Sequence, residues 1–352
     1  MIALIMLTIG TKFTDVTPDL VFSNTYMAAW MVPLISAVMI FLPLYLLVKL
    51  IDKYQLSLVA LINKLTGKYV GVFINVLLCL FSLVSTALLL NNYAVILVSL
   101  YFPQTPKIVM LVTLAIVCFL MAFGGAYMIG RTAWIVLPYV KIALLALLIL
   151  ALAEEFDFSY LFPLFGKGMD VVIKESFLNA SIFLECLFLA SLVPFMKKTE
   201  KYSKVALIGL GIVAVEMSLF FVFYIILFDA YSLVNMILPF QHLTRAVELG
   251  RFITNFEGYF LAFWLVASIV KYATYLFVTT VIFTETFQLK STKLYLIPIT
   301  LLIVILGMLP ENLIKSAFIY RDTILHTGSI IFFILPLLLW ILSFRKKVSV
   351  SS

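Results

Sequence analysis

The feature that most limits this chain is a recurrence of apolar runs, each long enough to bury a helix in hydrocarbon and separated by brief polar loops. They fall near residues 2–22, 26–50, 70–101, 108–123, 132–152, 172–193, 205–227, 252–283, 294–309 and 324–344. A bilayer core asks for about 20 apolar residues per helix, so the pattern predicts about ten transmembrane helices. Composition agrees: 64% of the residues are hydrophobic and 12% charged, whereas a soluble domain carries roughly 25% charge to face water. The chain reads as an all-α integral membrane protein, one domain over residues 1–352 with a short tail at 345–352. The opening MIALIMLTIG has no signal-peptide charge or cleavage site and reads as the first span itself.

Ten spans put both termini on one side. One set of loops carries fourteen cations, including Lys49, Lys53, Lys64, Lys68, Lys197, Lys198, Lys201, Lys204, Arg345, Lys346 and Lys347. The opposite set carries seven, Arg245, Arg251 and Arg321 among them. The positive-inside rule then places both termini in the cytoplasm, with Glu154, Glu155 and Asp157 facing outward. It also assigns the net charge of +7 to topology, so no nucleic-acid partner is expected. Residues 51–68 space Leu58, Leu61 and Leu65 along one helical face and predict an interfacial helix. Residues 238–255, after Pro239, predict a short helix over an outer vestibule.

Cys79, Cys118 and Cys186 lie inside apolar runs without a CxxC or Cys/His cluster, so buried thiols are expected rather than disulfides or a metal site. No phosphate loop, zinc spacing or nucleophile elbow is present. Neither an enzyme nor a cofactor is implied.

Two runs are interrupted. In the first, Gly10 and Pro18 break the helical pattern while Lys12 and Asp15 bring charge to membrane depth. Irregular backbone at that depth survives only when buried in protein or lining a watery cavity, and broken transporter helices use it to bind ions and zwitterions. The alternative is a short first helix ending at Gly10, followed by an outer loop. In the sixth run Glu185 sits near mid-span, ahead of Pro194. A carboxylate there is costly unless paired, protonated or hydrated. It serves either a bond to a neighbouring helix or a ligand or proton site. Lys141, Glu216 and Lys271 bring the buried charges to three cations and three anions, a balance that suits internal pairing. Lys141 and Lys271 are also candidates to stand in for a coupling sodium ion.

Several patterns resemble the spore germination permease family, the B-type subunits of nutrient germinant receptors, related to the amino acid–polyamine–organocation (APC) transporters. They are Phe183-Leu184-Glu185…Pro194 before Lys197-Lys198, Leu238-Pro239-Phe240…Arg245…Gly250-Arg251-Phe252…Phe256-Glu257, Trp264…Ala267…Lys271…Tyr275, and Gly125…Arg131. The resemblance implies two inverted five-helix repeats with discontinuous first and sixth helices. It further implies a site for an amino acid or similar germinant between the first, third, sixth and eighth helices. Gly10 and Thr11 would serve the first break, and Phe183 and Glu185 the second. Tyr93 and Thr274 are added by position. The implied partners are an A-type subunit and a C-type lipoprotein, in the spore inner membrane. A receptor subunit and an autonomous proton-coupled amino acid transporter would share this chemistry, and a subunit with a vestigial cavity is a third reading. The resemblance favours sensing.

Overall fold

A computed structural model describes residues 1–152, 156–196, 201–246, 256–310 and 319–345. Glu154, Glu155, Lys197, Lys198, the stretch from Glu248 to Asn255 and the tail beyond Arg345 lie outside the described residues.

Helix α1 (Ile2–Thr8) ends just before Gly10, and the chain passes through a 3-10 turn at Lys12–Thr14 before resuming as α2 (Thr17–Thr25). Pro18 falls in the first turn of α2, where its missing N–H breaks no helical bond. A second 3-10 turn, Tyr26–Trp30, leads into α3 (Met31–Tyr54), followed by α4 (Leu58–Thr66), α5 (Lys68–Leu100), α6 (Lys107–Phe123) and α7 (Gly125–Ala151). At 33 residues, α5 is about 50 Å long, more than a bilayer core is thick.

The sixth run is likewise divided. Helix α8 (Met169–Leu178) gives way to a 3-10 turn at Ala180–Phe183, one turn of α9 (Glu185–Phe188) and a further 3-10 stretch, Leu189–Phe195. The two parts, Met169–Leu178 and Ala180–Phe195, are bent by 45°. After it come α10 (Tyr202–Phe228), the short α11 (Ala230–Asn235) and α12 (Pro239–Ala246), then α13 (Phe256–Thr286), α14 (Thr292–Met308) and α15 (Asp322–Arg345).

Among the described residues there is no strand. Six stretches are long and apolar enough to cross a membrane unaided, the bent pair makes a further candidate, and Ile2–Thr14, Lys107–Phe123 and Thr292–Met308 are shorter apolar helices. Each of the ten expected runs meets one of these segments. The outside is greasy as well as the core: Val38 and Leu42 on α3, and Trp134, Tyr139 and Ile142 on α7, stand exposed. An apolar surface of that extent fits a bilayer, where helices satisfy their own backbone.

The short helix expected in residues 51–68 is α4, with Ser57 accepting the Ala60 N–H as its cap. Its apolar side, Leu58, Leu61, Ile62 and Leu65, is buried and packs on α5. That face covers protein, not lipid.

Candidate functional site

Where α1 stops, the backbone from Ile9 to Val16 has left the helical ladder, and its polar groups need partners. They come from distant helices. Tyr224 on α10 donates its hydroxyl to the Phe13 carbonyl at 2.9 Å, and Gln241 on α12 donates Nε2 to the Thr14 carbonyl at 3.2 Å. Trp264 on α13 donates Nε1 to Thr14 Oγ1 at 3.0 Å. Ile9 through Leu20 are all buried, so this is an interrupted helix inside protein and not a short helix with a loop.

The second break is held differently. Ser329 on α15 accepts the Ser181 N–H at 2.9 Å and donates its own hydroxyl to the Leu178 carbonyl at 2.6 Å. Ser181 donates its hydroxyl to the Leu325 carbonyl at 2.6 Å. The Ile182 carbonyl takes the Lys12 ammonium at 2.5 Å, which ties one break to the other. The same ammonium lies 2.6 Å from Glu185 Oε1 and 2.7 Å from Oε2. Tyr275 on α13 donates its hydroxyl to Glu185 Oε1.

Beside this pair lies a second cluster. Asp15 accepts the Thr17 N–H at 2.9 Å and the Thr17 hydroxyl at 2.6 Å. Lys271 Nζ approaches Asp15 Oδ2 at 3.3 Å, and Arg321 Nη2 reaches both carboxylate oxygens, at 3.1 and 3.0 Å. Arg321 Nη2 also donates to Thr17 Oγ1 at 2.6 Å. The side chains of Lys271 and Asp15 have no exposed surface at all. All six charges counted within the apolar runs are therefore paired: Lys12 with Glu185, Lys271 with Asp15, and Lys141 with Glu216.

Arg321 lines the cavity described below and pairs with Asp15, yet sequence reasoning counted it among loop cations. The signal for it was weak: a cation next to the tenth run, whose carboxylate partner lies 306 residues away. Asp19 was likewise passed over. It is buried on α2 and accepts the Leu238 N–H at 3.2 Å, fixing the entry to α12 over the first break.

A cavity of about 60 Å³ opens between these groups, lined by Lys12, Glu185, Lys271, Tyr275 and Arg321 together with Ser85, Ser181 and apolar side chains of α5 and α15. A smaller space of about 10 Å³ lies across Glu185 and Tyr275, with Thr8, Ser82 and Thr274 in its wall. Glu185, Phe188 and Tyr275 line both.

Of the residues singled out from sequence, Glu185 and Lys271 line the larger cavity and Thr274 the smaller. Tyr93 is buried with its ring 5.7 Å from Lys271 Nζ, edge-on to Trp264. Thr11 donates its hydroxyl back to the Leu7 carbonyl and lines a separate apolar space with Trp264 and Phe240. Gly10 faces another ion pair: a Cβ there would collide with the Met6 carbonyl and stand 3.1 Å from Glu216 Oε2 and 3.4 Å from Lys141 Nζ. Phe183 is wholly buried beside the second break. Gly10, Thr11, Tyr93 and Phe183 are thus not among the lining of the larger cavity, and Lys141 is at Glu216, away from it.

Comparison with known proteins agrees on a family. Residues 1–315 match the family model described as spore germination protein. The chain is 25% identical over 253 residues to spore germination protein XB of Bacillus anthracis, covering 71% of this chain and 70% of that protein. It is 25% identical over 289 residues to spore germination protein YndE of Bacillus subtilis (strain 168), covering 80% and 77%. With spore germination protein A2 of the same strain it shares 22% identity over 325 residues, covering 91% and 87%.

Proposed function

Because this chain belongs to the spore germination protein family, we propose that it is the membrane subunit of a nutrient germinant receptor, binding an amino acid or similar small germinant in the cavity between its helix breaks. The observation that carries this reading is the cavity's position. Lys12 on the first break, Glu185 on the second, Lys271 and Tyr275 on α13, and Arg321 beside α15 all meet at it. A ligand there would touch both helix breaks, α13 and the start of α15 together.

In this reading the ten segments form two inverted five-helix repeats, with both termini cytoplasmic and the chain in the spore inner membrane beside A-type and C-type subunits. Binding favours one arrangement of the repeats and moves the population toward it, because the ligand's contacts differ between the two. Glu185, with Phe188 and Tyr275, is a contact shared by both spaces, and Thr274 extends the site on one side. Tyr93 backs Lys271, while Gly10, Thr11 and Phe183 shape the breaks. Lys141 and Glu216 brace Gly10.

A second reading, autonomous proton-coupled transport, draws on the Lys12–Glu185 pair, since buried ionisable pairs mark proton paths in transporters. Purified chain in liposomes separates the two. The receptor reading expects binding of an amino acid without accumulation. Robust uptake driven by a pH gradient, by this chain alone, would overturn it.

A further inference from the structure

The charges around the larger cavity do not balance. Lys12, Lys271 and Arg321 face it, and the carboxylates in contact with them are Glu185 and Asp15. Asp19, the next carboxylate along, turns to the Leu238 amide and is not in the cavity wall. Three cations thus share two carboxylates.

The two carboxylates are also unequally engaged. Glu185 is engaged on both oxygens: Lys12 lies against both and Tyr275 donates to one. Lys12 further takes the Ile182 carbonyl, the acceptor that the second break turns inward. Those are the acceptors a ligand ammonium would need, and a side chain of the protein already holds them. On the cationic side there is donor capacity to spare. Among the described residues Lys271 has one hydrogen bond, at 3.3 Å to Asp15, and the face of the Tyr93 ring at 5.7 Å, for three N–H groups. Arg321 is 91% buried, and its Nε–H has no hydrogen-bond partner among the described residues. Ser85 lines the same cavity, and its buried hydroxyl also has none. A buried donor left without an acceptor is costly, and two of them with a surplus cation call for a ligand bearing anionic oxygens.

We propose that this cavity takes its ligand by the carboxylate, held by Arg321, Lys271 and Ser85, while Lys12 fills the place at Glu185 and Ile182 that a ligand ammonium would otherwise occupy. The inference rests on the receptor reading above and names the part of the germinant that is recognised. Apart from Ser181, whose hydroxyl is spent on the Leu325 carbonyl, the rest of the wall, including Phe81, Leu88, Phe188 and Ile324, is apolar, so the favoured ligand is a carboxylate on a small apolar body. Its amine contributes little. The carboxylate would also bear on Arg321, at the start of the helix whose Leu325 and Ser329 clamp the second break.

The test uses the full-length chain in nanodiscs, alone and with its A- and C-type subunits, and reads thermal stabilisation by each of the standard amino acids. Every acid that stabilises is then compared with its carboxamide and with its deamino acid, as L-alanine with L-alaninamide and propionate. The expected result is that amidation weakens binding by about tenfold to a hundredfold, the size of a lost charge-assisted hydrogen bond, while removing the amine costs less. Ser85→Ala should lower the acid-to-amide ratio several-fold without loss of melting temperature. Arg321→Lys should do the same while keeping the charge on Asp15, which guards against a folding failure in Arg321→Gln. Equal binding of acid and amide, or loss of binding on removing the amine alone, overturns the inference and leaves the receptor reading standing. Stabilisation by no amino acid in either preparation overturns both.

Discussion

The two helix breaks do the same geometric job with different chemistry. The first brings its own charges, Lys12 and Asp15, and disposes of them through ion pairs with Glu185, Lys271 and Arg321. The second has no charge until Glu185 and is held mainly by hydroxyls, those of Ser181 and Ser329, against neighbouring backbone. Ionised groups at membrane depth are stable only while each partner is in place, whereas a neutral hydrogen bond contributes only about 1 kcal/mol net. The first break is therefore fixed by two charge clusters, whereas the second shares only the Lys12 contacts and is otherwise held by neutral bonds, which makes it the easier of the two to rearrange. Helix α15 and the arginine just before it reach both: Arg321 holds Asp15, and Ser329 holds Ser181.

The harshest way to break this comparison is Asp15→Asn. It leaves Lys271 and Arg321 in a buried site with no counter-charge, a loss of roughly 3–5 kcal/mol for a broken buried pair. Folded yield and melting temperature in detergent should collapse. Glu185→Gln should fall less, because Lys12 keeps the Ile182 carbonyl and a side-chain oxygen remains for Tyr275. A Glu185→Gln protein as unstable as Asp15→Asn would show that the second break is fixed by charge as well.

Much of this was legible beforehand, for identifiable reasons. Apolar runs announce helices in lipid because a bilayer tolerates little else, so each run met a helical segment. Gly10, Pro18 and the mid-run charges marked both interruptions, and the even count of buried cations and anions foretold pairing. The partners were not legible. Nothing local in Arg321-Asp322-Thr323 says that the arginine turns inward to Asp15, since that contact is made only when the first and last helices pack. The resemblance gives Gly10 backbone groups to offer at the first break, but nothing in the sequence says that the space beside it holds the Lys141–Glu216 pair. Periodicity shows which face of a helix is buried and not what it is buried against.

A milder probe is Ser329→Ala. It removes the acceptor of the Ser181 N–H and the donor to the Leu178 carbonyl together. A buried group left unsatisfied costs about 1–3 kcal/mol, so the melting temperature should drop clearly but by less than in Asp15→Asn. If the second break is the rearranging one, the variant should also respond to germinant at altered concentration in spores carrying it. An unchanged dose response alongside a lowered melting temperature would make these bonds purely structural.

The smallest expected effect is that of Trp264→Phe, which removes one neutral bond from the first break and little else. The indole Nε1–H to Thr14 Oγ1 is lost, while Thr14 keeps its own bond to the Thr11 carbonyl at 2.7 Å and the replacement ring keeps an edge for Tyr93. Asp15 and Lys12 are untouched. The loss should be about 0.5–1.5 kcal/mol, below that of Ser329→Ala when the two are melted side by side in the same detergent. A larger drop for Trp264→Phe would mean that the first break depends on neutral hydrogen bonds after all, and that its ion pairs are stable only because those bonds hold the turn in place.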